Sequence, residues 1–257
     1  ASGDKTVVES EEKAEEECNQ TENQAEAKET VEDNTDETTD EDIAEVEPTS
    51  APQGDDDLNE MEKLEALVMK DIEDTISTLN EEYELLLSEI DTYEKYLEDT
   101  ERVEAFYEKL YNENLMLCIR MREYSVDFAE IILVSDKSFD DMYADLENIY
   151  DCVYDDAGDD IYDEIYDGIL DNMYDDYYDG ILDEAYDNAE YGEWLDARSE
   201  EYEWWLDCRS DVYEEWLDFR SDVYEFYLDM RSEIYSDDME KANEVIEDFV
   251  EDIEDLK

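Results

Sequence analysis

The sequence contains no histidine and few basic residues. Its 257 residues include 17 Lys and Arg against 88 Asp and Glu, which gives a formal net charge of −71. Without histidine, the chain lacks the commonest general base and metal ligand. Without clustered basic residues, it lacks the groups that bind nucleic-acid phosphates directly or dock on anionic lipid. Such a negative field attracts cations and basic protein surfaces.

Long apolar runs and paired cysteine motifs are also missing. No apolar run approaches the roughly 18–20 residues that a membrane-spanning helix needs. The cysteines are far apart and have no Cys-x-x-Cys spacing, which argues against a zinc or iron–sulfur site. We interpret Cys208 as a small core residue, because it shares a repeat column with Ala197, Phe219 and Met230. The four cysteines are Cys18, Cys118, Cys152 and Cys208.

Residues 1–55 form a low-complexity acidic tract that includes both prolines, Pro48 and Pro52. Its few bulky apolar residues are isolated, so the tract is predicted to be disordered. We interpret it as a tether that precedes a folded part, and a tail without a specific role is the alternative. The chain begins at Ala1 rather than at a methionine, which fits a mature protein whose targeting segment has been removed.

Residues 56–136 are predicted to form a helical hairpin or a coiled-coil segment. Apolar residues recur at spacings of three and four from Met61 onward, as on the buried face of an amphipathic helix. The polar run at 98–101 offers a stop and a new helix cap. We therefore expect two helices, roughly 57–98 and 101–134.

Residues 138–192 are predicted to form a helix built from four-residue repeats. Between Ile149 and Asn188 the chain consists of ten tetrapeptides of the form apolar–Tyr–Asp–x, with Leu170 and Leu182 in place of tyrosine. At 100° per residue the stripe drifts by about 40° per repeat, too fast for one straight partner helix to follow. Gly168, Gly180 and Gly192 recur every twelve residues. We expect the helix to bend at these glycines and to reset its face there.

Residues 193–257 are predicted to form a helix with an 11-residue repeat, which is about 3.67 residues per turn and gives a nearly straight stripe. The units are WLDARSEEYEW, WLDCRSDVYEE, WLDFRSDVYEF and YLDMRSEIYSD, from residue 194 to residue 237. The apolar arc includes one column made of Glu201, Val212, Val223 and Ile234. The whole fold is therefore expected to be all-α: a disordered acidic tail followed by long amphipathic helices in a coiled coil or elongated bundle.

One column of the 11-residue repeat places arginine inside the apolar arc. Each arginine has an aromatic residue four positions before it and a tyrosine four positions after it, a spacing that suits a guanidinium stacked between rings. We expect these arginines to be partly buried and to hold the helix against an acidic segment of the same chain or of another copy. The candidate interaction residues are Arg198, Arg209, Arg220, Arg231, Trp194, Trp205 and Trp216.

The aspartate column of the tetrapeptides suggests a cation-binding stripe. It does not match an EF-hand, because the frames that begin at Asp163 and Asp175 each fail at two ligand positions. Weak, diffuse Ca²⁺ binding is one hypothesis, and a solvated acidic face is the other. No cofactor is expected apart from such Ca²⁺. The candidate cation-binding residues are Asp163, Asp167, Asp171, Asp175, Asp179 and Asp183.

No residue pattern indicates an enzyme. Paired carboxylates are the basis of glycoside hydrolysis, but with 88 acidic residues such pairs arise by chance. The chain contains neither a Gly-rich phosphate loop nor a nucleophile motif. No catalytic residues are assigned.

The WLDxRSDVYEE units and the Tyr/Asp-rich layout resemble uncharacterised acidic lipoproteins of gut clostridia, over roughly residues 190–257. The resemblance implies a lipid anchor on a cysteine ahead of Ala1 and an extracellular position at the bacterial cell surface. It carries no established activity. We therefore expect a non-enzymatic, surface-tethered helical spacer or interaction protein that could also self-associate. The alternatives are a low-affinity cation-binding protein and an acidic mimic that inhibits a nucleic-acid-binding protein.

Overall fold

The computed structural model describes residues 59–134 and 138–257, and every regular element within them is helical. The all-α prediction is confirmed for this part of the chain. The predicted disordered tail, residues 1–55, lies outside the described residues. None of the described helices is both long and apolar enough to cross a membrane.

Helices α1 (Glu60–Glu89) and α2 (Tyr93–Val134) form an antiparallel hairpin. Their connection lies before the stop predicted at 98–101, because Thr92 starts the second helix: its Oγ1 accepts the backbone N–H of Lys95 at 3.4 Å. At the predicted stop, α2 only kinks, at Asp99, where φ is −124° and ψ is 23°. The two predicted helices therefore exist, but the boundary between them was placed too late.

Helix α3 (Phe139–Asp145) is short and begins at Ser138, whose hydroxyl accepts the backbone N–H of Asp141 at 3.3 Å. Helix α4 then follows as one continuous run in which π and α hydrogen bonding alternate. Its π segments are Ile149–Ala157, Tyr162–Ile169 and Tyr174–Leu182. Its α segments are Gly158–Ile161, Leu170–Met173 and Asp183–Ala185.

This alternation keeps the apolar stripe of α4 straight. A π-helical bond closes over five residues instead of four, so a helix that contains such bonds takes more residues per turn. The leading residues of eight successive tetrapeptides are all buried, with at most 1% of each exposed: Ile149, Val153, Ala157, Ile161, Ile165, Ile169, Met173 and Tyr177. A stripe that drifted by about 40° per repeat would have left this face after three repeats. Helix α4 therefore averages about four residues per turn, the period of its own sequence.

The expectation of glycine bends was wrong. Gly168 and Gly180 lie inside π segments, and a Cβ on either would stand 3.1 Å from the carbonyl oxygen five residues earlier. Underwinding, not bending, keeps the face in place. Gly192 lies in a different helix, where its backbone N–H donates to the Glu190 carboxylate at 3.0 Å.

The last two helices are α5 (Tyr191–Tyr235) and α6 (Met239–Asp255), which divide the predicted segment 193–257. Helix α5 ends in a Schellman turn: Asp237 has φ 57°, and the N–H of Asp238 donates to the carbonyl of Glu233 at 3.1 Å. Aspartate is one of the few residues that tolerate this left-handed conformation.

The five long helices pack with alternating directions around α2 and α5. Contacts show that α1 runs parallel to α4, from Glu65 near Cys152 to Tyr83 near Asp176. Helices α2 and α5 run parallel to each other, while α4 and α6 run antiparallel to α5. Helix α2 is buried on most of its circumference, so the polar side chains that it carries meet several helices at once.

Candidate functional site

The arginine column of α5 forms what we call the arginine ladder, of which the first three members lie in the groove between α5 and α4 and the last lies beside α3: Arg198, Arg209, Arg220 and Arg231. The side chains of the first three are 22%, 26% and 18% exposed. Each donates to an aspartate of α4, and the aspartates are twelve residues apart. The pairs are Arg198–Asp183 at 2.6 Å, Arg209–Asp171 at 2.6 Å and Arg220–Asp159 at 2.8 Å.

Each of these guanidinium groups also lies between two aromatic rings. One ring is the tryptophan four residues earlier on α5, at 5.0–5.3 Å from the guanidinium carbon. The other is a tyrosine of α4 at 4.2–4.4 Å: Tyr178 for Arg198, Tyr166 for Arg209 and Tyr154 for Arg220. Each such contact is worth roughly 0.5–1 kcal/mol when exposed and more when it is desolvated.

The tyrosine four residues after each arginine was expected to be the second stacking ring, and the structure places it elsewhere. Tyr202, Tyr213 and Tyr224 pack on the tyrosines of α4, with ring centroids 5.4–5.6 Å apart. Arg231, at the end of the ladder, lies over Tyr143 of α3 and donates to the hydroxyls of Tyr143 and Tyr227. The sequence identified the first stacking ring, the tryptophan four residues earlier, but not the second one, because that tyrosine comes from another helix.

The three tryptophans fix the register between the two helices. Each indole N–H donates to a backbone carbonyl of α4 at a position where tyrosine is missing from the tetrapeptide column. The bonds are Trp194–Leu182 at 2.6 Å, Trp205–Leu170 at 3.2 Å and Trp216–Gly158 at 2.7 Å. The donors recur every eleven residues and the acceptors every twelve. Because every contact repeats with these two periods, twelve residues of α4 cover the same distance along the helix axis as eleven residues of α5.

Four of the six candidate cation-binding aspartates are exposed and form no ion pair with the ladder: Asp163, Asp167, Asp175 and Asp179. The other two, Asp171 and Asp183, bind the ladder. Carboxylate crowding is visible nearby, since burial and then the charges of Asp156 and Glu164 raise the pKa of Asp160. Across residues 59–134 and 138–257, no three Asp, Glu, Cys or His side chains are arranged to hold a metal ion. Weak Ca²⁺ binding stays a prediction.

A buried carboxylate was missed at the sequence level. Glu201 of α5 is 0% exposed, and its two oxygens each accept a hydrogen bond of 2.7 Å, from the hydroxyls of Tyr96 and Tyr107 of α2. Burial raises the pKa of Glu201 to about 7, although the two tyrosine hydrogen bonds lower it. The signal was present in the repeat, because Val212, Val223 and Ile234 fill the same column. This carboxyl can exchange a proton near neutral pH, but it has no open access to a substrate.

Two further buried polar groups lie near Glu201: the hydroxyl of Tyr177 and the thiol of Cys208. The hydroxyl of Tyr177 on α4 is buried without a hydrogen bond, and its pKa is raised by burial and then by the charge of Glu201. Cys208, predicted to be a small core residue, is buried and donates to the carbonyl of Tyr107 at 3.4 Å. Burial raises the pKa of the Cys208 thiol to about 12, so it is not a nucleophile near neutral pH.

A second buried charge joins α2 to α5. Arg122 is 1% exposed and donates to Glu215 at 2.8 Å and to Asp222 at 2.9 Å. Burial raises the pKa of Glu215, and Arg122 acts in the opposite direction. The apolar spacing of α2 predicts a core residue three positions after Ile119. The arginine at that position, Arg122, departs from this pattern, and the departure is visible in the sequence.

A cleft of about 670 Å³ lies where the α1–α2 connection meets the α4–α5 connection. Its lining is acidic, with Asp91, Glu94, Glu190 and Glu193, and no basic side chain lines it. The hydroxyl of Tyr93 has no hydrogen-bond partner there. The cleft has the negative charge of the rest of the surface.

The chain has no match in the comparisons with known proteins: no family model, no curated protein and no solved structure is similar to it.

Proposed function

We propose that the protein is a non-enzymatic helical spacer or interaction protein. Its acidic N-terminal segment is the tether, and the bacterial cell surface is the expected location. The location is supported by the composition of residues 1–55 and by the resemblance to acidic clostridial lipoproteins. The spacer role is supported by the way in which α4 and α5 are joined.

The observation that carries the proposal is the repeated contact set between these two helices. Three successive repeats use the same tryptophan–carbonyl bond, the same arginine–aspartate pair and the same cation–π contact. The contact set runs from Trp194 to Arg220 on α5, which at 1.5 Å per residue is roughly 40 Å. A contact set that repeats along a straight groove holds the two antiparallel helices side by side at a constant separation. Such a unit separates or presents other groups at a fixed distance.

Weak cation binding is the second candidate. It is supported by the exposed aspartates Asp163, Asp167, Asp175 and Asp179, which the ladder leaves unpaired. The acidic-mimic alternative is supported by net charge alone.

Spin labels can test the spacer proposal. Noncanonical side chains at the exposed positions Asp196 and Asp229 lie 33 residues apart on α5, so the expected distance is roughly 50 Å. A second pair, at Asp167 on α4 and Asp218 on α5, reports the separation of the two helices. We expect a narrow distance distribution for both pairs in the full chain.

Removing ladder charges should broaden the second distribution and leave the first narrow. The test variant carries Arg209→Met and Arg220→Met, which keep apolar bulk but remove the ion pairs and the cation–π contacts. The control carries Lys70→Met and Lys95→Met, which remove two exposed charges whose partners lie within four residues. A broad distribution in the wild type, or no difference between the two variants, would contradict the spacer proposal.

A further inference from the structure

Helix α5 has a regular apolar stripe that the rest of the described structure covers only in part: its first three tyrosines pack on tyrosines of α4, yet more than a third of every member stays exposed. We call it the Leu–Tyr stripe. Its spacing alternates between seven and four residues, so all members lie on one side of the helix. The first seven members are 39–46% exposed and the last is 76% exposed: Leu195, Tyr202, Leu206, Tyr213, Leu217, Tyr224, Leu228 and Tyr235.

The exposure is specific to this side of α5. The column that begins at Ala197 and includes Cys208, Phe219 and Met230 is at most 6% exposed. Isolated exposed leucines are ordinary, but a contiguous apolar surface on a folded chain marks an interaction site. The stripe runs from Leu195 to Tyr235, which is roughly 60 Å of helix.

Exposed carboxylates border the stripe along its length. An aspartate follows every leucine and a glutamate follows the first three tyrosines, and all of them are exposed: Asp196, Asp207, Asp218, Asp229, Glu203, Glu214 and Glu225. On the other side lie the ladder arginines, of which Arg198, Arg209 and Arg220 already pair with α4. The stripe therefore presents apolar side chains beside negative charge that is not neutralised.

This combination selects the occupant. A second copy of this chain would bring its own carboxylates against these, at a net charge of −71 per chain. An anionic lipid surface or a nucleic acid would bring further negative charge. A cationic amphipathic helix brings apolar residues at i, i+4 and i+7 to the stripe and Lys or Arg to the carboxylates.

We propose that the Leu–Tyr stripe of α5 is the docking surface for a cationic amphipathic helix of a partner protein. This inference names a partner class for the proposed interaction protein, and it rests on the proposal that the chain acts by binding other proteins. Leucine and tyrosine side chains are the anchors, and the carboxylates set the orientation and speed the encounter. Because the stripe repeats every eleven residues, longer helices engage more anchors and bind more tightly.

The test uses the full chain and a fluorescent peptide of Leu and Lys, about 22 residues long, which spans roughly 33 Å as a helix. Its leucines form one face. A shuffled peptide of the same composition has no apolar face. We expect the amphipathic peptide to bind at least about tenfold more tightly than the shuffled one in fluorescence anisotropy at physiological salt.

Two variants separate the stripe from general charge attraction. Leu206→Gln with Leu217→Gln should reduce the affinity of the amphipathic peptide to that of the shuffled one. Leu67→Gln with Leu85→Gln, at positions 49% and 57% exposed on α1, should leave it unchanged. Circular dichroism checks that both variants fold. Because all four substitutions are at exposed positions, folding should not change.

Equal binding of the two peptides, or equal loss in the two variants, would overturn the proposal. So would self-association of the wild type in sedimentation that Leu206→Gln and Leu217→Gln abolish, because the stripe would then bind a second copy. In all these cases the spin-label distances are unaffected, so failure of the docking surface is distinguishable from failure of the spacer.

Discussion

Glu201 should make the stability of this protein depend on pH near neutrality. The carboxyl is closed in by Tyr96 and Tyr107 from α2 and lies near Tyr177 from α4, and no cation pairs with it. When the carboxyl is ionised, its charge is buried among neutral groups. When it is protonated, the same site holds a neutral acid. The folded state therefore favours the protonated form.

The direction and size follow from the pKa. Burial raises the pKa of Glu201 from 4.5 to about 7. Below pH 4.5 the group is protonated in both the folded and the unfolded chain, and its contribution is fully present. As the pH rises from 4.5 to 7 the unfolded chain loses its proton first, and stability falls. The loss reaches roughly 3 kcal/mol by pH 8, with about 1 kcal/mol of it between pH 6 and 8.

Urea unfolding followed by circular dichroism measures this loss at pH 6, 7 and 8 and constant ionic strength. Glu201→Gln should remove the dependence in this window, because the amide does not titrate. Glu203→Gln changes an exposed neighbour on the same helix and should retain the wild-type dependence. A wild-type stability that stays flat from pH 6 to 8, or a dependence that survives in Glu201→Gln, would refute the assignment.

Two further predictions concern stability. Arg122→Met should cost about 3 kcal/mol in urea unfolding at pH 8 because it leaves Glu215 buried without its partner. Arg102→Met, whose ion pairs are exposed, should cost much less. Gly158→Ala should raise the free energy of unfolding by up to about 1 kcal/mol through helix propensity. The new Cβ fits there, because it would lie 3.4 Å from Arg220 Cδ, an ordinary van der Waals contact. Gly168→Ala should gain less or lose, because its Cβ would stand 3.1 Å from the carbonyl oxygen of Asp163, and equal melting shifts would contradict this.

The repeats allowed the helices to be predicted from the sequence, together with several sets of residues that contact a neighbouring helix. The 11-residue period predicts a straight stripe, and the arginine column inside it indicated an acidic neighbour. The four-residue period was misread, because ordinary α geometry turns that pattern into a drifting stripe. Only the packed structure shows that α4 is underwound to follow the pattern.

The buried polar groups mark the limit of a repeat-based prediction. Glu201 and Arg122 each interrupt an apolar column, so the sequence shows that something is unusual there. Their partners lie 93 to 105 residues away along the chain. Spacing along one helix cannot show which residues of another helix will meet it, because that depends on register between helices.

The aspartate stripe gives the last prediction. Twelve residues of α4 advance as far as eleven of α5, so successive aspartates lie roughly 5.5 Å apart along the axis. In water, two charges at that separation repel by about 0.8 kcal/mol before salt screening. None of the four aspartates in the pairs Asp163–Asp167 and Asp175–Asp179 forms an ion pair with a ladder arginine, although the charge of Arg209 acts on Asp167 from farther away. A divalent cation held between two carboxylates relieves this repulsion more than a diffuse monovalent atmosphere does.

We expect millimolar Ca²⁺ to raise the melting temperature of the full chain beyond an NaCl control of equal ionic strength. Substituting Asn at these four positions should raise stability in low salt and abolish the extra effect of Ca²⁺. Neutralising four exposed acids of α6 instead, Glu247, Asp248, Glu251 and Asp252, should leave that effect in place. Equal responses of the wild type to Ca²⁺ and NaCl would mean that the stripe is a solvated acidic face without cation preference.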